Sequence, residues 1–299
     1  MASPATTRLA IGDIDLTATL RNVAILPGDP TVRLEPGRLV RATITPEGTG
    51  EIRVVWADGI ADVEAWGDGA DWLVGRAPRL LGLADDVSSF DPDGPLREVW
   101  RRNHRTRIAA TGTVWHDLAA LIPQQRVRFV DAADNWRRMV RAWSEPGPGP
   151  NELLLPPDPT KMARRSYVEF HRFGIERSRA QILVNAAKVA SRLHRTSAQP
   201  WVEAAPRLGS IRGVGPWTLG GLQGFTWGDP DTVIIGDVGF PGAIGWFFER
   251  DERADDARML ELLEPYRPHR YRVLNLVLGS GVSPPRRHHR LARNSIERR

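Results

Sequence analysis

The sequence contains no cysteine, and this absence excludes several kinds of chemistry at once. Without thiols the protein cannot form disulfides, use a thiol nucleophile, or bind zinc or iron–sulfur clusters through thiolates. The seven histidines show no His-Glu-x-x-His spacing, so we expect no metal site. Any catalysis must therefore rely on oxygen or nitrogen side chains.

Long apolar runs are also missing. No window approaches the roughly 18 consecutive apolar residues of a membrane helix, and residues 1–13 lack the basic and apolar segments of a signal peptide. We therefore expect a cytoplasmic protein. With 299 residues, of which 41% are hydrophobic, the chain is long enough for one large or two ordinary domains.

Lysine is scarce, occurring only at Lys161 and Lys188, so arginine carries nearly all of the positive charge. The formal net charge of +5 is divided unevenly, because residues 1–110 carry −3 and residues 111–299 carry +8. This bias reflects either genomic base composition or contact with phosphates, and a polyanion would bind the C-terminal part. Residues 284–299 carry six arginines and two histidines against one glutamate, which indicates either a solvated terminus or an arm that contacts DNA.

The residue pattern of the first part of the chain indicates mixed β and α structure. The β-branched runs Arg38–Thr45 and Glu51–Trp56 are joined by turn residues 46–50 and predict a hairpin. The segment Ala61–Leu83 has apolar residues at helical spacing and predicts a helix. The Asp-, Pro- and Gly-rich segment Asp85–Pro95 predicts a linker.

From Trp100 onward the periodicity is almost wholly helical. The candidate helices are 114–122, 127–143, 176–193, 216–227, 237–248 and 266–278, and the proline-rich residues 144–159 form the longest predicted loop. We predict an α+β protein. An N-terminal antiparallel β/α domain covers residues 1–95, a mostly helical body covers residues 96–283, and the basic tail covers residues 284–299.

The most informative motif lies between Leu208 and Phe225. Gly213 and Gly215 stand one residue apart directly before Pro216, and proline is favoured in the first turn of a helix. The pattern predicts a helix, a tight hairpin and a second helix. The glycine backbone could then approach a phosphate closely, with the free amides of the second helix pointing at it. Such a contact would be independent of DNA sequence, although many αα-hairpins contain similar turns.

An aspartate follows this hairpin at an informative distance. Asp237 lies 24 residues after Gly213 and is predicted to start a helix. A carboxylate at such a place can stabilise positive charge that develops in a substrate, or can orient water. The alternative interpretation of Asp237 is an ordinary helix N-cap, a common position for aspartate.

The hairpin, helix, short loop and Gly-Asp together resemble the helix-hairpin-helix superfamily of DNA glycosylases. Residues 208–218, with the pattern Leu-x-x-Ile-x-Gly-Val-Gly-Pro-Trp-Thr, are particularly similar to the DNA-3-methyladenine glycosylase II type. Residues 118–127 are similar to the helix and loop that push a wedge residue into the duplex, and residues 173–180 resemble a further family segment. The resemblance covers roughly residues 7–280.

The resemblance implies a monofunctional DNA glycosylase of base excision repair, which flips a damaged base out of duplex DNA and hydrolyses its glycosidic bond. Asp237 is the implied catalytic residue, and alkylated purines such as 3-methyladenine are the implied substrates. Trp217 would offer a flat surface to the flipped base, with a cation–π attraction of about 1–2 kcal/mol for a charged purine. Its alternative is a core tryptophan. Strand-cleaving members have a lysine where Trp217 stands, so hydrolysis without strand cleavage is expected.

Two positions depart from the pattern of that type, and both concern the base pocket. His269 stands where the type has a second pocket tryptophan, and Val238 stands where it has a tyrosine after the catalytic aspartate. The pocket is thus expected to be less aromatic or differently sized. Gln125 occupies the predicted wedge position, or else is a loop residue without a special role. The residues expected to contact DNA are Gln124, Gln125, Arg212, Gly213, Gly215 and Thr218.

The expected partner is double-stranded DNA containing damaged bases, bound by a monomer. No organic cofactor is expected, although the resemblance allows a monovalent cation at the backbone carbonyls around Gly209 to Gly213. Two alternatives stay open. One is a glycosylase of the same fold for oxidised or deaminated bases, and the other is a non-catalytic protein that uses the hairpin as a phosphate clamp. A catalytic role for Asp237 would distinguish an enzyme from a non-catalytic phosphate clamp.

Overall fold

The computed structural model describes residues 3–282 and residue 284. Its N-terminal part is built on one antiparallel sheet of five strands in the order β1-β5-β4-β3-β2. The strands are β1 (Ala5–Ala10), β2 (Val32–Glu35), β3 (Arg38–Thr45), β4 (Gly48–Ala57) and β5 (Ile60–Trp66). With the helical remainder, this sheet confirms the predicted α+β class.

The predicted hairpin is present, with the first strand as predicted, a longer second strand and a shorter turn. Thr45 pairs with Gly48, so Pro46 and Glu47 alone reverse the chain. Gly48 has a φ of +134°, which a residue with a side chain rarely adopts.

The helix predicted over residues 61–83 is wrong in its first part. Residues 60–66 form β5, which pairs with β1 on one side and β4 on the other. Ala61, Val63 and Ala65 are buried on one face with the period of two that a strand requires. The small size of two of these residues made the alternation weak in the sequence.

Twelve α-helices lie in the described part of the chain. They are α1 (Leu16–Leu20), α2 (Ala70–Leu80), α3 (Gly94–Asn103), α4 (Val114–Leu121), α5 (Phe129–Trp143), α6 (Pro159–Met162), α7 (Arg177–His194), α8 (Trp201–Gly209), α9 (Pro216–Leu222), α10 (Phe240–Glu249), α11 (Asp256–Leu263) and α12 (Arg270–Gly279). A π-helical turn, Gln223–Trp227, continues α9. The helices predicted at 114–122, 127–143 and 176–193 are confirmed to within two residues at each end.

The apolar side chains form three main cores. The sheet packs against α1 and α2 through residues such as Leu16 and Leu73. Helices α4, α5, α7 and α8 enclose a second core around the fully buried Trp115 and Trp136. Helices α3, α10, α11 and α12 form the third core. Residue Leu96 belongs to this third core, so the segment that follows the sheet domain packs against the C-terminal helices.

A buried polar network joins the sheet to the helical body. Arg41 of β3 donates a hydrogen bond from Nη2 to Asp117 Oδ1 of α4 at 2.9 Å, and both side chains are buried. Asp117 Oδ2 also accepts from Thr226 Oγ1 at 2.7 Å, in the turn that continues α9. Burial, with Arg41 nearby, holds the pKa of His116 well below its usual value, so this imidazole is neutral. Breaking one member would leave another buried charge unpaired, so the network fixes the sheet domain against α4.

The long proline-rich loop is held on the sheet. Asn151 donates from its backbone amide and from Nδ2 to Oε1 of the buried Glu51, at 3.2 and 2.7 Å. The basic tail of residues 284–299, except Pro284, lies outside the described residues. In the part of the chain that the structure describes, no helix has the length and apolar character needed to cross a membrane.

Candidate active site

The glycine hairpin connects α8, which ends at Gly209, to α9, which begins at Pro216. Gly213 has a φ of +95°, and a Cβ atom there would overlap with Cγ1 of Ile182 in α7. Glycine is therefore required at this position for both its conformation and its packing. Among the described residues, no atom lies within 4 Å of the Cβ position of Gly215, so the hairpin backbone is open on its outer side.

Trp217 lies in the first turn of α9, where the sequence places it after the hairpin proline. Its ring is partly buried and packs at the junction of the second and third cores. The indole Nε1 donates a hydrogen bond to Asp237 Oδ2 at 2.9 Å. The two residues singled out for base binding and catalysis are thus in direct contact.

Asp237 lies in the loop before α10 and not at the start of that helix as predicted. Helix α10 begins at Phe240, because the turn of residues 237–239 intervenes. Asp237 Oδ1 accepts from the backbone amides of Gly239 at 2.8 Å and Phe240 at 3.1 Å. The N-cap of α10 is Gly239, so Asp237 is not an ordinary N-cap, although its Oδ1 binds the first amides of the helix while Oδ2 faces Trp217. A carboxylate has about four acceptor positions, so these three bonds leave one for water or a sugar.

A cleft of about 1060 Å³ brings most of the predicted site together. Its lining includes Gln124, Gln125, Gly213, Gly215, Trp217, Thr218, Asp237 and Val238. Among the described lining residues Asp237 is the only carboxylate. Three arginines, Arg21, Arg107 and Arg126, add positive charge, whereas the charge of the buried Arg272 is paired with Asp85 at 2.6 Å. This predominance of positive charge suits a polyanionic ligand. Asp237 then supplies the one negative group of the protein at a defined place in the described lining. Val238 is 93% exposed and lies at the mouth of the cleft.

The structure does not bring His269 to the cleft, which corrects its assignment to the base pocket. His269 is only 3% exposed, and Nε2 forms a hydrogen bond with Ser89 Oγ at 2.8 Å. It precedes α12, and burial lowers its pKa. Helix α12 instead contributes other residues to the cleft, among them Asn275 and Leu278. Arg212 is exposed on the hairpin outside the cleft lining, and its contact with DNA stays a prediction.

The loop between α4 and α5 places its two glutamines differently from the prediction. Gln124 Nε2 donates to the carbonyl of Ala120 at 2.9 Å, at the end of α4. Gln125 Nε2 donates to Thr218 Oγ1 at 2.9 Å and to the carbonyl of Gly213 at 3.2 Å. The Gln125 side chain is thus turned toward the hairpin and ties the two loops together. Thr218 is buried and receives this bond, so the geometry gives it a structural part in the site.

The next residue, Arg126, has the features that were expected of Gln125. It is exposed, lines the cleft, and has a φ of +57°. A left-handed conformation costs a residue with a side chain on the order of 1–2 kcal/mol. Such strain is found more often at functional sites than elsewhere. The geometry therefore favours Arg126 over Gln125 as the side chain that projects from this loop.

Sequence reasoning missed one polar pair in the cleft. Asn22, just after α1, donates from Nδ2 to Asn275 Oδ1 of α12 at 3.0 Å, and both residues line the cleft. The two residues are 253 positions apart. No local pattern could have connected them.

Across the described ranges, no cluster of three or more His, Asp or Glu side chains could hold a metal ion. In the hairpin, the carbonyls of Ile211 and Gly213 accept hydrogen bonds from Val214 N and Gln125 Nε2. Residues 209–215 also contain no carboxylate. A carbonyl oxygen has two lone pairs, so each of these carbonyls keeps one free position and the monovalent cation stays a prediction.

Comparison with known proteins finds similarity to DNA glycosylases in sequence and in structure. No family model matches the sequence. Over 178 residues the chain is 22% identical to YfjP of Bacillus subtilis (strain 168), provisionally named a DNA-3-methyladenine glycosylase. The match covers 58% of this chain and 61% of YfjP, so the chain spans about three fifths of the length of this curated relative.

Two solved structures resemble nearly the whole chain. The 3-methyladenine DNA glycosylase from Archaeoglobus fulgidus superposes with a TM-score of 0.73 and 19% identity, covering 91% of this chain and 97% of that chain. The 8-oxoguanine glycosylase/lyase of Clostridium acetobutylicum, solved with double-stranded DNA containing cytosine opposite 8-oxoguanine, gives a TM-score of 0.64 and 12% identity. That match covers 93% of this chain and 97% of that chain. These likenesses establish the fold.

Proposed function

We propose that this chain, whose fold is that of the helix-hairpin-helix DNA glycosylases, is a monofunctional DNA glycosylase. The proposal depends chiefly on the contact of Trp217 Nε1 with Asp237 Oδ2 at 2.9 Å on the wall of the cleft. It places an aromatic surface and an oriented carboxylate side by side, next to a hairpin with open backbone. This combination suits an extruded base, because the base can stack on the ring while its sugar lies next to the carboxylate.

Asp237 would act on the sugar as the glycosidic bond breaks. The departing base takes the electrons of the bond, and positive charge develops on the sugar carbon and ring oxygen. The Asp237 carboxylate, held by three N–H donors, stabilises that charge without having to reorganise. Water adds its hydroxide to the sugar carbon, which completes hydrolysis. Its proton is released to solvent when a cationic purine departs as the neutral base, and passes to the base when a neutral nucleoside is cleaved.

The lysines support hydrolysis without strand cleavage. Lys161 Nζ pairs with Glu145 Oε1 at 2.7 Å, and Lys188 lies on α7. Neither is among the described residues that line the cleft. A Schiff base with the sugar requires an amine within reach, so the expected product is an intact abasic strand.

Duplex DNA is the proposed partner. The hairpin and the loop of residues 124–127 border the same cleft and are joined through Gln125. We assign the hairpin to contact with a DNA phosphate. We assign Arg126 to the gap that the extruded base leaves in the base stack, where its guanidinium can also form hydrogen bonds with the unpaired base of the opposite strand. Gln125 would act by holding Arg126 against the hairpin.

Alkylated purines are the proposed substrate class. Both YfjP and the Archaeoglobus structure have 3-methyladenine in their names. A positively charged purine would gain from the Trp217 ring and from the neighbouring Asp237 carboxylate. One observation favours the alternative of oxidised or deaminated bases: the Asn22 and Asn275 amides line the cleft and can bond base carbonyls.

The test is base release. The purified chain and the variant Asp237→Asn are incubated with duplexes carrying methylated purines, 8-oxoguanine or uracil, and the released bases are identified by chromatography. Release of methylated purines by the wild-type protein alone is expected. Release of 8-oxoguanine or uracil instead would support the alternative substrate class. Binding of all duplexes without any release would support the phosphate clamp.

A further inference from the structure

Asp237 is carried by an irregular loop that connects the π-helical turn to α10. The first half of this loop is pressed against α9, because a Cβ atom on Gly220 would lie 3.1 Å from both Ile234 Cα and the carbonyl of Val233. The second half has little packing of this kind, since Gly236 and Val238 are exposed. The position of Asp237 therefore depends on individual hydrogen bonds.

One of these bonds comes from a different helix. The backbone amide of Gly236, directly before Asp237, donates to Asp256 Oδ2 in the first turn of α11 at 3.0 Å. Gly236 has a φ of +83°, so the left-handed backbone of the turn sets the direction of its amide N–H. The bond connects the loop to the third core through α11.

One carboxylate oxygen of Asp256 lies in an environment that destabilises the folded protein. This oxygen, Oδ1, is buried and has no hydrogen-bond partner among the described residues. A buried unsatisfied polar atom opposes folding and calls for an explanation. Helix capping does not explain it, because the neighbouring Asp255 already caps α11 by accepting from Arg258 N at 2.9 Å.

We infer that Asp256 is a positioning residue, which holds Asp237 in place for the reaction through the amide of Gly236. This role rests on the proposed function. Asp256 does not need to touch the substrate. It fixes the backbone one residue before the catalytic carboxylate, while Trp217 fixes the carboxylate itself. A small displacement of a catalytic group lowers the rate strongly even when binding is unaffected.

The experiment compares Asp256→Ala, Asp256→Asn and Asp255→Ala with the wild-type protein. Two quantities are measured: the single-turnover rate of base release, and the affinity for a duplex carrying a cationic pyrrolidine in place of the damaged nucleotide. We expect Asp256→Ala to lower both by roughly tenfold or more, with affinity for undamaged duplex changed less than about twofold. Asp256→Asn keeps an oxygen that can accept from Gly236 and should stay within about threefold of wild type.

Asp255→Ala is the matched control. It removes the cap of the same helix and should lower the melting temperature without lowering the rate. If Asp256→Ala does not fold, Asp256→Ser, which is too short to reach the Gly236 amide, should show the same loss of rate.

Three results would overturn the inference alone: a fully active Asp256→Ala, an Asp256→Asn as impaired as the alanine variant, or an Asp255→Ala that loses rate equally. A wild-type chain that releases no base from any duplex would instead overturn the proposed function, and this role with it.

Discussion

Gln125 Nε2 donates a hydrogen bond to Thr218 Oγ1 at 2.9 Å, joining the loop after α4 to the first turn of α9. The same nitrogen lies 3.2 Å from the carbonyl of Gly213, in the hairpin itself. The loop that carries Arg126 and the hairpin thus form one continuous surface. A ligand that contacts both elements would find their relative position already fixed, which reduces the entropy lost on binding.

Replacing Asp237 tests the chemistry directly. Asp237→Asn should lower the single-turnover rate of base release by about 10³-fold or more, because a neutral amide cannot stabilise positive charge on the sugar. DNA affinity should change little, since the proposed phosphate contacts are made by the hairpin and not by Asp237. Rates are measured with methylated duplex under enzyme excess. A variant within tenfold of the wild-type rate would contradict the catalytic role.

Trp217 combines a stacking surface with a hydrogen-bond donor, and two variants separate these functions. Trp217→Phe keeps a flat ring but removes the Nε1 donor to Asp237, so we expect a loss of roughly tenfold in rate. Trp217→Ala also removes the stacking surface and should weaken binding of the lesion duplex in addition. Equal rates and affinities in the two variants would show that the ring itself does not contact the base.

Arg126 and Gln125 are expected to act differently on DNA binding. Arg126→Ala should weaken binding of lesion duplex by roughly tenfold. It should also reduce the slope of the logarithm of the binding constant against the logarithm of the salt concentration by about one. Gln125→Ala removes no charge, so its salt dependence should match wild type. Affinities are measured by titration at several salt concentrations. A greater effect of Gln125→Ala on base extrusion, reported by 2-aminopurine fluorescence, would restore Gln125 as the wedge.

The product distinguishes hydrolysis from lyase chemistry. Reaction with damaged duplex should leave intact abasic strands that break only after alkali or heat, because neither lysine lines the cleft. Borohydride should trap no protein–DNA adduct, as judged by gel electrophoresis. Strand breaks before alkali treatment would show that an amine reaches the sugar.

His116 makes stability depend on pH. Its pKa lies well below 6.5 in the folded protein, so the unfolded chain binds a proton first as the pH falls. The contribution of the neutral imidazole is present above about pH 6.5 and is lost progressively below it. The melting temperature should therefore fall between pH 7.5 and pH 5.5, and His116→Gln should reduce this fall. An identical pH dependence in the variant would assign the effect to other groups.

The hairpin and Asp237 could be predicted because their signals are local. Gly213, Gly215 and Pro216 specify a turn and a helix start within four residues, and the distance to Asp237 is set by one short helix and one loop. The exact start of α10 could not be predicted, because the choice between Asp237 and Gly239 depends on hydrogen bonds within the turn.

The walls of the cleft could not be predicted from the sequence. His269 and Asn275 are on the same short segment, and only the packing of α12 decides that the second faces the cleft. The same holds for Gln125 and Arg126, which are adjacent but point to different surroundings because of one left-handed residue. The helix prediction for residues 61–66 is wrong for a different reason, since the small alanines of β5 give too weak an alternation.

The bond between Asn22 and Asn275 has a consequence for the order in which the protein is made on the ribosome. One wall of the cleft comes from the first helix of the chain and another from α12, 253 residues later. A nascent chain that already contains the hairpin and Asp237 still lacks the second wall. The cleft is therefore complete only after translation has passed α12, so the proposed pocket for an extruded base forms later than the hairpin and Asp237.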